Sequence, residues 1–488
     1  MATLARTAAR LLKFLVMSLV GTVVLISVGW GLMARGLPDL RPWHRIAPAS
    51  EMLAGDLGPA TTLTEYLARE DAVMREVVEK VEGGSTAARL DFFQRYAPGG
   101  RVNPSTFTTN WNRTLEMQAA AVRGGALLIH GMTDSPYSMR AIARCMSDAG
   151  YHTLALRMPG HGTVPAGLAR ARWQDWAAAV RLGARHVLSL IGDGQPFVIV
   201  GYSNGGALAV NYALDTLDDA SLPRPDRLVL VSPMIGVTAL AGLSNLISLL
   251  DRVPYFEKAA WTSVQPEYNP FKYNSFPTAA GQESYRLTSQ LERKIEEAAN
   301  QGTLSRLPPM LTFQSIVDST VLTGAIVHRL YDRLPANGNE LVMFDLDRRS
   351  EVRAFMLPVV DSLFNTLIAG TARNYRISVV SNLAPDTSEV AEWDVSPRAT
   401  QLVTKALGLH WPAGVYSLSH IALPFPVNDP LYGLEPDQQE NFGIRLGRLQ
   451  PRGERGVLII TSDDLLRLSS NPFFPYLEAR LQEWVALR

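Results

Sequence analysis

The chain has 488 residues, of which 47% are hydrophobic and 19% are charged, and its Lys plus Arg count equals its Asp plus Glu count at 46 each. This composition excludes a disordered or collagen-like protein, and the charge balance excludes a strongly basic protein that coats nucleic acid. Cys145 is the only cysteine, which excludes an internal disulfide and a zinc site built from cysteines.

The first predicted element is an apolar helix near the amino terminus. Three basic residues precede an uncharged stretch from Phe14 to Ala34. As a helix this stretch is about 30 Å long, which matches the hydrocarbon core of a bilayer. We therefore expect residues 1–35 to be a single-pass membrane anchor, in a bacterial inner membrane with the rest of the chain on the periplasmic side. A cleaved secretory signal is the alternative, although its apolar region is usually only about 7 to 15 residues long.

Residues 36–120 are predicted to form a tether and a helical extension. The part from Pro38 to about Pro59 is rich in proline, glycine and alanine, which is typical of a tether. Between Leu63 and Val81, apolar residues recur with the period of a helix that buries one face.

From about Ala121, short apolar runs alternate with helical stretches. The predicted strands are 126–129, 153–156, 197–200, 228–231, 310–316 and 341–344. This alternation predicts an α/β fold with a mostly parallel central sheet covered by helices, in two core parts, 121–234 and 308–488. Ligands of such sheets bind beyond the carboxyl ends of the strands, so the residues that follow each strand are the candidates for chemistry.

A serine stands in a sharp turn after the predicted strand 197–200. The motif is Gly201-Tyr202-Ser203-Asn204-Gly205, and a helix-forming sequence follows it. Small neighbours let the strand and the helix approach closely, and the strained turn between them exposes the serine hydroxyl. Ser203 is therefore the candidate nucleophile, and a plain glycine turn is the alternative interpretation.

The loop His130-Gly131-Met132, which follows the predicted strand 126–129, is a candidate oxyanion hole. Acyl transfer needs donors for the negative oxygen of a tetrahedral intermediate, and fixed backbone N–H groups provide them. We expect the N–H groups of Met132 and Asn204 to be these donors. His130 and His161 also follow strands, and we expect both side chains to shape their loops.

A serine nucleophile needs a base, and the base needs an acid that holds its tautomer. Asp318 directly follows the predicted strand 310–316, so its carboxylate is expected at the catalytic end of the sheet; a helix cap is the alternative role. Asp345, after the next strand, is the reserve candidate for the acid.

Three histidines lie after Ser203 in the chain. His328 is predicted on a helix that leads away from the site, and His410 has the surroundings of an exposed loop residue. His420 ends the β-rich run 415–420 and is followed by a sequence with the character of an active-site loop. We therefore prefer His420 as the base.

Together these motifs resemble the α/β-hydrolase superfamily, and within it the monoacylglycerol lipase, lysophospholipase and carboxylesterase branch. The resemblance rests on the motifs at 129–136, 157–162 and 201–206 and on Asp318 before Val321, and it covers about 121–321. It implies a serine hydrolase that needs no metal or organic cofactor. The implied catalytic residues are the nucleophile Ser203, the acid Asp318, the base His420 and the oxyanion-hole residues Met132 and Asn204.

The chain departs from this family after Asp318, because the histidine follows later than usual, and we expect an insertion at about 322–411. Residues 235–307 are longer than a plain connection requires, so we expect a cap there, with apolar and aromatic side chains that suit an acyl chain. A strand at 457–460 and a helix at 477–487 are predicted to complete the core.

The sequence therefore predicts a membrane-anchored serine hydrolase of carboxylic esters. The expected partner is a small acyl ester or a lipid, such as a monoacylglycerol or a lysophospholipid, and no nucleic acid is expected. An acyltransferase with the same triad, a peptidase, and a non-catalytic scaffold or binding protein on the same fold are the alternatives.

Overall fold

The computed structural model describes residues 2–82, 93–236, 254–357, 364–366, 368, 372–452 and 457–486. Its strands are β1 Leu115–Met117, β2 Gly124–Ile129, β3 Tyr151–Leu156, β4 Phe197–Tyr202, β5 Arg227–Val231, β6 Trp261–Ser263, β7 Phe276–Pro277, β8 Met310–Ser315, β9 Glu340–Phe344, β10 Arg376–Asn382, β11 Glu389–Val395 and β12 Leu402–His410.

The longer helices are α1 Ala2–Ala34, α2 Leu63–Val77, α3 Arg140–Asp148, α4 Trp173–Ser189, α5 Asn204–Asp218, α6 Thr278–Asn300 and α7 Phe474–Ala486. Shorter helical segments lie at Pro42–Arg45, Val78–Glu82, Pro104–Thr106, Pro136–Met139, Pro165–Leu168, Pro254–Ala260, Thr303–Arg306, Thr323–Ala325, Ile326–Leu330, Tyr331–Arg333, Ser350–Arg353, Leu446–Arg448 and Ser462–Leu466.

Within the described residues the central sheet has ten strands in the order β1-β3-β2-β4-β5-β8-β9-β10-β11-β12. The strands from β3 to β10 in this order run parallel, whereas β1, β11 and β12 pair antiparallel with their neighbours. The separate pair β6-β7 is antiparallel. The predicted α/β fold with a mostly parallel sheet is confirmed, and all six strands predicted between residues 126 and 344 form.

Alternate side chains of each central strand face opposite layers of helices. In β2, Leu127 and Ile129 join the core cluster that contains α4, α5 and α6, whereas Ala126 and Leu128 join the cluster that contains α3 and α7. Because helices cover both faces, β2, β3, β4 and β8 are buried along their whole length. The sheet is therefore a rigid platform whose carboxyl edge carries the candidate site.

The segment predicted as a tether is packed instead. Leu40, Trp43 and His44 are at most 6% exposed. His44 Nε2 lies 3.0 Å from Ser275 Oγ, and the Trp43 ring stacks on Tyr96 at 5.1 Å. These side chains hold residues 38–59 against the rest of the fold, despite the proline and glycine content. The predicted helix from Leu63 is confirmed, and it begins with a capping box between Thr62 and Glu65.

The predicted membrane anchor is not supported. The amino-terminal helix forms as α1, and its end packs on the helical segment Pro254–Ala260. Across the residues that the structure describes, however, no helix combines the length and the apolar character that crossing a membrane requires. The cellular location stays a prediction.

The predicted cap at 235–307 is also not confirmed. Residues 237–253 lie outside the described part of the chain. The later part forms α6, which packs on α4 and α5 and buries Leu287 and Leu291 in the main core. Helix α6 therefore covers the sheet.

The predicted insertion at 322–411 extends the central sheet. Strand β10 pairs parallel with β9, and the hairpin of β11 and β12 adds two antiparallel strands at the edge. The carboxyl-terminal helix is confirmed as α7. The predicted strand at 457–460 is wrong, because this segment has no strand pairing and its first three side chains are 59% to 75% exposed. The run 415–420 forms no strand either.

Candidate active site

Ser203 occupies the turn between the end of β4 and the start of α5. Its backbone has φ 54° and ψ −116°, a conformation that costs energy for a residue with a side chain. A Cβ atom on Gly205 would lie 2.1 Å from the carbonyl oxygen of Ile129, and one on Gly201 would lie 2.4 Å from that of Gly205. Both positions therefore require glycine, as the sequence motif indicated.

Backbone hydrogen bonds hold the Ser203 turn on both sides. The Ser203 N–H donates to the carbonyl of Val231 at 2.9 Å, and its carbonyl accepts from the N–H groups of Met234 and Gly206 at 2.9 and 3.0 Å. These bonds tie the turn to β5 and to the start of α5. They keep the strained conformation in place, with 7% of Ser203 exposed.

The loop after β2 lies directly against this serine. A Cβ atom on Gly131 would be 3.1 Å from the Cβ atom of Ser203. Thr133 has φ 64°, so the loop bends sharply just beyond Met132. Asn204 begins α5, and the first N–H groups of a helix have no partner within the helix and lie at its positive end. The two predicted oxyanion-hole residues thus lie in segments adjacent to Ser203.

The structure brings Asp318 and His420 together across 102 residues of chain. His420 Nδ1 lies 2.8 Å from Asp318 Oδ2, and the Asp318 side chain is fully buried. Asp318 Oδ1 accepts hydrogen bonds from the backbone N–H groups of Thr320 at 2.8 Å and Val321 at 3.0 Å. These two hydrogen bonds therefore fix the orientation of the carboxylate that contacts the imidazole.

The pKa of Asp318 is lowered from its ordinary value. Burial by itself raises the pKa, but the charge and hydrogen bond of His420 and the N–H groups of Val321 and Thr320 outweigh it. Asp318 is thus ionised at neutral pH, which favours the His420 tautomer with a proton on Nδ1 and a free lone pair on Nε2.

His420 also lies beside the serine turn. The Tyr202 hydroxyl donates to the His420 carbonyl at 3.3 Å, and the two rings are 5.4 Å apart. Within the described contacts of His420, Nε2 forms no hydrogen bond, either to Ser203 or to another residue. Catalytic hydrogen bonds of this kind often tighten only when the substrate binds.

The other histidines take no part in this arrangement. Met158 N–H donates to His130 Nε2 at 3.1 Å, and His130 Nδ1 lies 2.9 Å from the Gly131 carbonyl. Burial lowers the pKa of His130 to about 4, so this side chain stays neutral and shapes the loop, as expected. His161 is buried with Nδ1 3.0 Å from the Pro159 carbonyl.

The alternative candidates point elsewhere. His328 is 74% exposed and lies 3.0 Å from Asp332, and His410 is exposed at the end of β12. The reserve acid Asp345 is buried, where it binds Arg348 and accepts from Ser381 at 2.6 Å. Its carboxylate is thus engaged with β10, away from His420.

Sequence reasoning missed two polar side chains close to the site. Gln314 Nε2 donates to Asp318 Oδ2 at 3.1 Å from within β8, and a lone glutamine in an apolar strand four residues before Asp318 is the signal that could have found it. Asp134 is 5% exposed beside the Gly131 loop, where Lys272 lies 3.4 Å away. Burial raises the pKa of Asp134.

The described residues contain no cluster of three or more histidine, cysteine or carboxylate side chains that could hold a metal ion. The arrangement offers instead a hydroxyl on a strained turn, backbone donors beside it, and an imidazole oriented by a carboxylate. These are the elements of nucleophilic acyl transfer.

Comparisons with known proteins point to one superfamily. Residues 120–346 match the family model described as serine aminopeptidase, S33. A thermostable monoacylglycerol lipase from Bacillus sp. (strain H-257) is 28% identical over 200 residues, which cover 41% of this chain and 72% of that protein.

Similar solved structures include a monoacylglycerol lipase from Paleococcus ferrophilus, with 16% identity, a TM-score of 0.36 and coverage of 51% of this chain and 97% of that one. A soluble variant of the monoglyceride lipase from Saccharomyces cerevisiae is also 16% identical, with a TM-score of 0.36 and coverage of 47% and 81%. The family match and the sequence relative carry the conclusion. Residues 120–346 thus resemble the α/β-hydrolase superfamily, and the comparisons support a carboxylic-ester hydrolase related to the monoacylglycerol lipases.

Proposed function

We propose that this protein is a serine hydrolase that cleaves lipid-like carboxylic esters through an acyl-enzyme on Ser203. The observation that carries the proposal is the 2.8 Å contact between His420 and Asp318 beside the strained Ser203 turn. A purely structural histidine has no need of a fixed carboxylate on one nitrogen while its other nitrogen forms none of the described hydrogen bonds, in a loop that contacts Tyr202 of the serine turn.

In the proposed reaction, the Ser203 Oγ atom attacks the ester carbonyl carbon while His420 Nε2 takes the hydroxyl proton. The N–H groups of Met132 and Asn204 stabilise the negative oxygen of the tetrahedral intermediate. His420 then passes the proton to the departing alcohol, and the acyl group stays on Ser203. Water repeats the sequence and releases the carboxylic acid, while Asp318 stabilises the imidazolium in both halves.

The substrate class is proposed from the sequence relative, the monoacylglycerol lipase from Bacillus sp., and not from the shape of a binding pocket. The bacterial relative is described as a monoacylglycerol lipase, which supports an acyl ester such as a monoacylglycerol or a lysophospholipid. The matched family model is described as a serine aminopeptidase, so an aminoacyl amide belongs in the same test. An acyltransferase would use the same acyl-enzyme with an alcohol in place of water.

The test uses the purified full chain and p-nitrophenyl esters with short, medium and long acyl chains, together with an aminoacyl p-nitroanilide. We expect ester turnover in the wild type and a loss of about 10³-fold or more in Ser203→Ala. Ser221→Ala is the matched control, because the described hydrogen bonds of this exposed serine stay within its own turn, to Asp219. It is expected to keep full turnover.

The remaining outcomes separate the alternatives. Turnover of the anilide and not of the esters would show that the protein is a peptidase and not an ester hydrolase. Transfer of the acyl group to an added alcohol in preference to water would make the protein an acyltransferase. A folded wild type that neither turns over esters nor reacts with a fluorophosphonate would favour the non-catalytic scaffold or binding protein as the remaining interpretation.

A further inference from the structure

The segment predicted as a buried strand at 457–460 exposes apolar side chains instead. Val457, Leu458 and Ile459 are 75%, 59% and 67% exposed, and Leu466 is 66% exposed. We call these four residues the aliphatic patch. Single exposed apolar residues are ordinary, but a run of aliphatic side chains on one segment marks an interaction surface.

Neighbouring side chains fix this segment to the core. Ile460, Leu465 and Leu468 pack into the cluster that contains Tyr268, Phe271 and Tyr432. Thr461 caps the short helix Ser462–Leu466 by accepting from the Asp464 N–H, and the Asp464 carboxylate accepts a hydrogen bond from Gln265 Nε2 at 3.1 Å. The segment therefore buries one set of apolar residues and presents the aliphatic patch outward.

Arg467, which follows Leu466 of the aliphatic patch, contacts the loops that carry the candidate base and acid. The Arg467 guanidinium donates to the Thr320 hydroxyl, and Thr320 in turn donates its N–H to Asp318. The Ser419 hydroxyl donates to the Arg467 carbonyl at 2.8 Å, and Ser419 directly precedes His420. A partner bound to the patch is thus held close to the loops that carry Asp318 and His420.

Basic residues precede the aliphatic patch in the chain. Arg448 and Arg452 are exposed, and Leu449 between them is 42% exposed. Among the described residues from Arg448 to Leu466, Asp463 is the exposed residue of opposite charge, since Asp464 is engaged by Thr461 and Gln265. Exposed aliphatic side chains flanked by arginines are complementary to the surface of an anionic bilayer.

We propose that the aliphatic patch, with Arg448 and Arg452, docks this protein on an anionic lipid surface and brings the candidate active site to that surface. The aliphatic side chains enter the boundary between headgroups and acyl chains, and the two arginines contact the anionic headgroups. The inference goes beyond the proposed hydrolase activity, because it concerns where the enzyme meets a substrate and not the chemistry of cleavage.

A site-specific probe tests this docking directly. Cys145 is 2% exposed, so a cysteine introduced by Leu458→Cys can be labelled selectively with an environment-sensitive fluorophore. The full chain also carries Ser203→Ala, which prevents any hydrolysis of the lipid during the measurement. The vesicles contain phosphatidylcholine alone or phosphatidylcholine with phosphatidylglycerol.

Leu188→Cys is the matched control site. Leu188 is a 44% exposed leucine near the end of α4, which leads to the start of β4 and therefore lies at the edge of the sheet opposite the candidate site. We expect a blue shift of emission at position 458 on addition of the mixed vesicles, a much smaller one with phosphatidylcholine alone, and none at position 188. Asp463→Asn is expected to increase the response to the anionic vesicles.

A second measurement uses unlabelled enzyme with Val457→Ser, Leu458→Ser and Ile459→Ser combined. Turnover of an ester embedded in anionic vesicles is expected to fall about tenfold, whereas turnover of a water-soluble short-chain ester stays unchanged. The fluorescence needs no catalysis, so a failure of the proposed function leaves it interpretable. If the emission at position 458 is the same without vesicles and with either kind of vesicle, the docking proposal is wrong. It is also wrong if the blue shift grows with protein concentration in the absence of vesicles, because that outcome identifies a second copy of the chain as the occupant.

Discussion

The two parts of the candidate site are held in different ways. Ser203 is fixed by its immediate neighbours, because glycines at 201 and 205 let β4 and α5 close to within contact of β2. His420 and Asp318 are 102 residues apart and meet through side chains that come from separate loops. The first part depends on local backbone geometry, and the second depends on how a long segment folds back.

This difference separates effects on stability from effects on chemistry. A side chain added at Gly201 or Gly205 collides with the backbone of the turn or of β2, so it is expected to damage the fold. A change in the histidine or the acid removes hydrogen bonds on the rim of the sheet, so it is expected to damage turnover while the protein stays folded. Variants of the two parts should therefore have opposite profiles.

The largest effect on turnover is expected from His420→Ala and Asp318→Asn. Loss of the base or of the carboxylate that orients it is expected to lower kcat by about 10³- to 10⁴-fold, measured with a p-nitrophenyl ester. Both variants should stay folded, with thermal unfolding lowered modestly by the loss of the hydrogen bond between the buried Asp318 carboxylate and His420. Asp345→Asn, on the reserve acid, is expected to affect stability but not turnover per folded molecule.

His328→Ala is the matched control for the histidine, since its side chain is 74% exposed and its described ion pair is with Asp332, four residues further along the chain. It should retain wild-type turnover. Normal activity in His420→Ala, or a comparable loss in His328→Ala, would contradict the assignment of the base.

Gly205→Ala is expected to act through the fold. Its Cβ atom would lie 2.1 Å from the Ile129 carbonyl oxygen, so β2 and α5 must separate, at a cost of about 3 kcal/mol in the free energy of unfolding. Urea unfolding measures this loss. Gly192→Ala is the control, because its Cβ atom would have no contact closer than 3.7 Å. A Gly205→Ala protein as stable as the control would show that the turn is not tightly packed.

Gln314→Leu is expected to have a moderate effect on turnover. It removes the amide that donates to Asp318 Oδ2 at 3.1 Å, so the carboxylate loses one of the bonds that position it for His420. A net hydrogen bond to a charged group contributes about 1.5 to 3 kcal/mol, which corresponds to a fall in kcat of about tenfold or more. Gln301→Leu, at an exposed position beyond α6, should leave kcat unchanged.

The smallest expected effect concerns the pH dependence of kcat/KM on the acid side. The pKa of Asp318 lies below its ordinary 3.8, so the carboxylate is ionised in the folded state throughout the range above about pH 4. Its contribution to stability is present above that value and is lost as the pH falls through the lowered pKa. Between pH 5 and 8, Asp318 should therefore contribute no ionisation step to the pH profile of kcat/KM. An ionisation step in this range that Asp318→Asn removes would contradict this.

The parts of the fold that follow from short patterns could be predicted from the sequence. The buried strands read as apolar runs, and the glycines around Ser203 marked the turn, because both signals are local. The packing of residues 38–59 could not be predicted from composition, since it depends on contacts of Trp43 with Tyr96 and of His44 with Ser275. The apolar run at 457–460 resembled a strand, but the edge of the sheet is already occupied by β12.

The candidate base was harder to choose than the candidate nucleophile for the same reason. Nothing within the sequence between 322 and 411 shows that β10, β11 and β12 extend the sheet and return the chain to the catalytic edge. Only the folded chain shows that His420, and neither His328 nor His410, contacts Asp318. Gln314 was missed because its amide is meaningful only once Asp318 is seen beside it.

Ser203, activated by His420, is the proposed nucleophile, and the most direct test is peptide mass spectrometry after reaction with a fluorophosphonate. We predict a phosphonyl adduct on the peptide that contains Ser203 in the wild type and in His328→Ala, a strongly slowed reaction in His420→Ala, and no adduct in Ser203→Ala. An adduct on another residue, or one that forms on Ser203 at an unchanged rate without His420, would contradict the account.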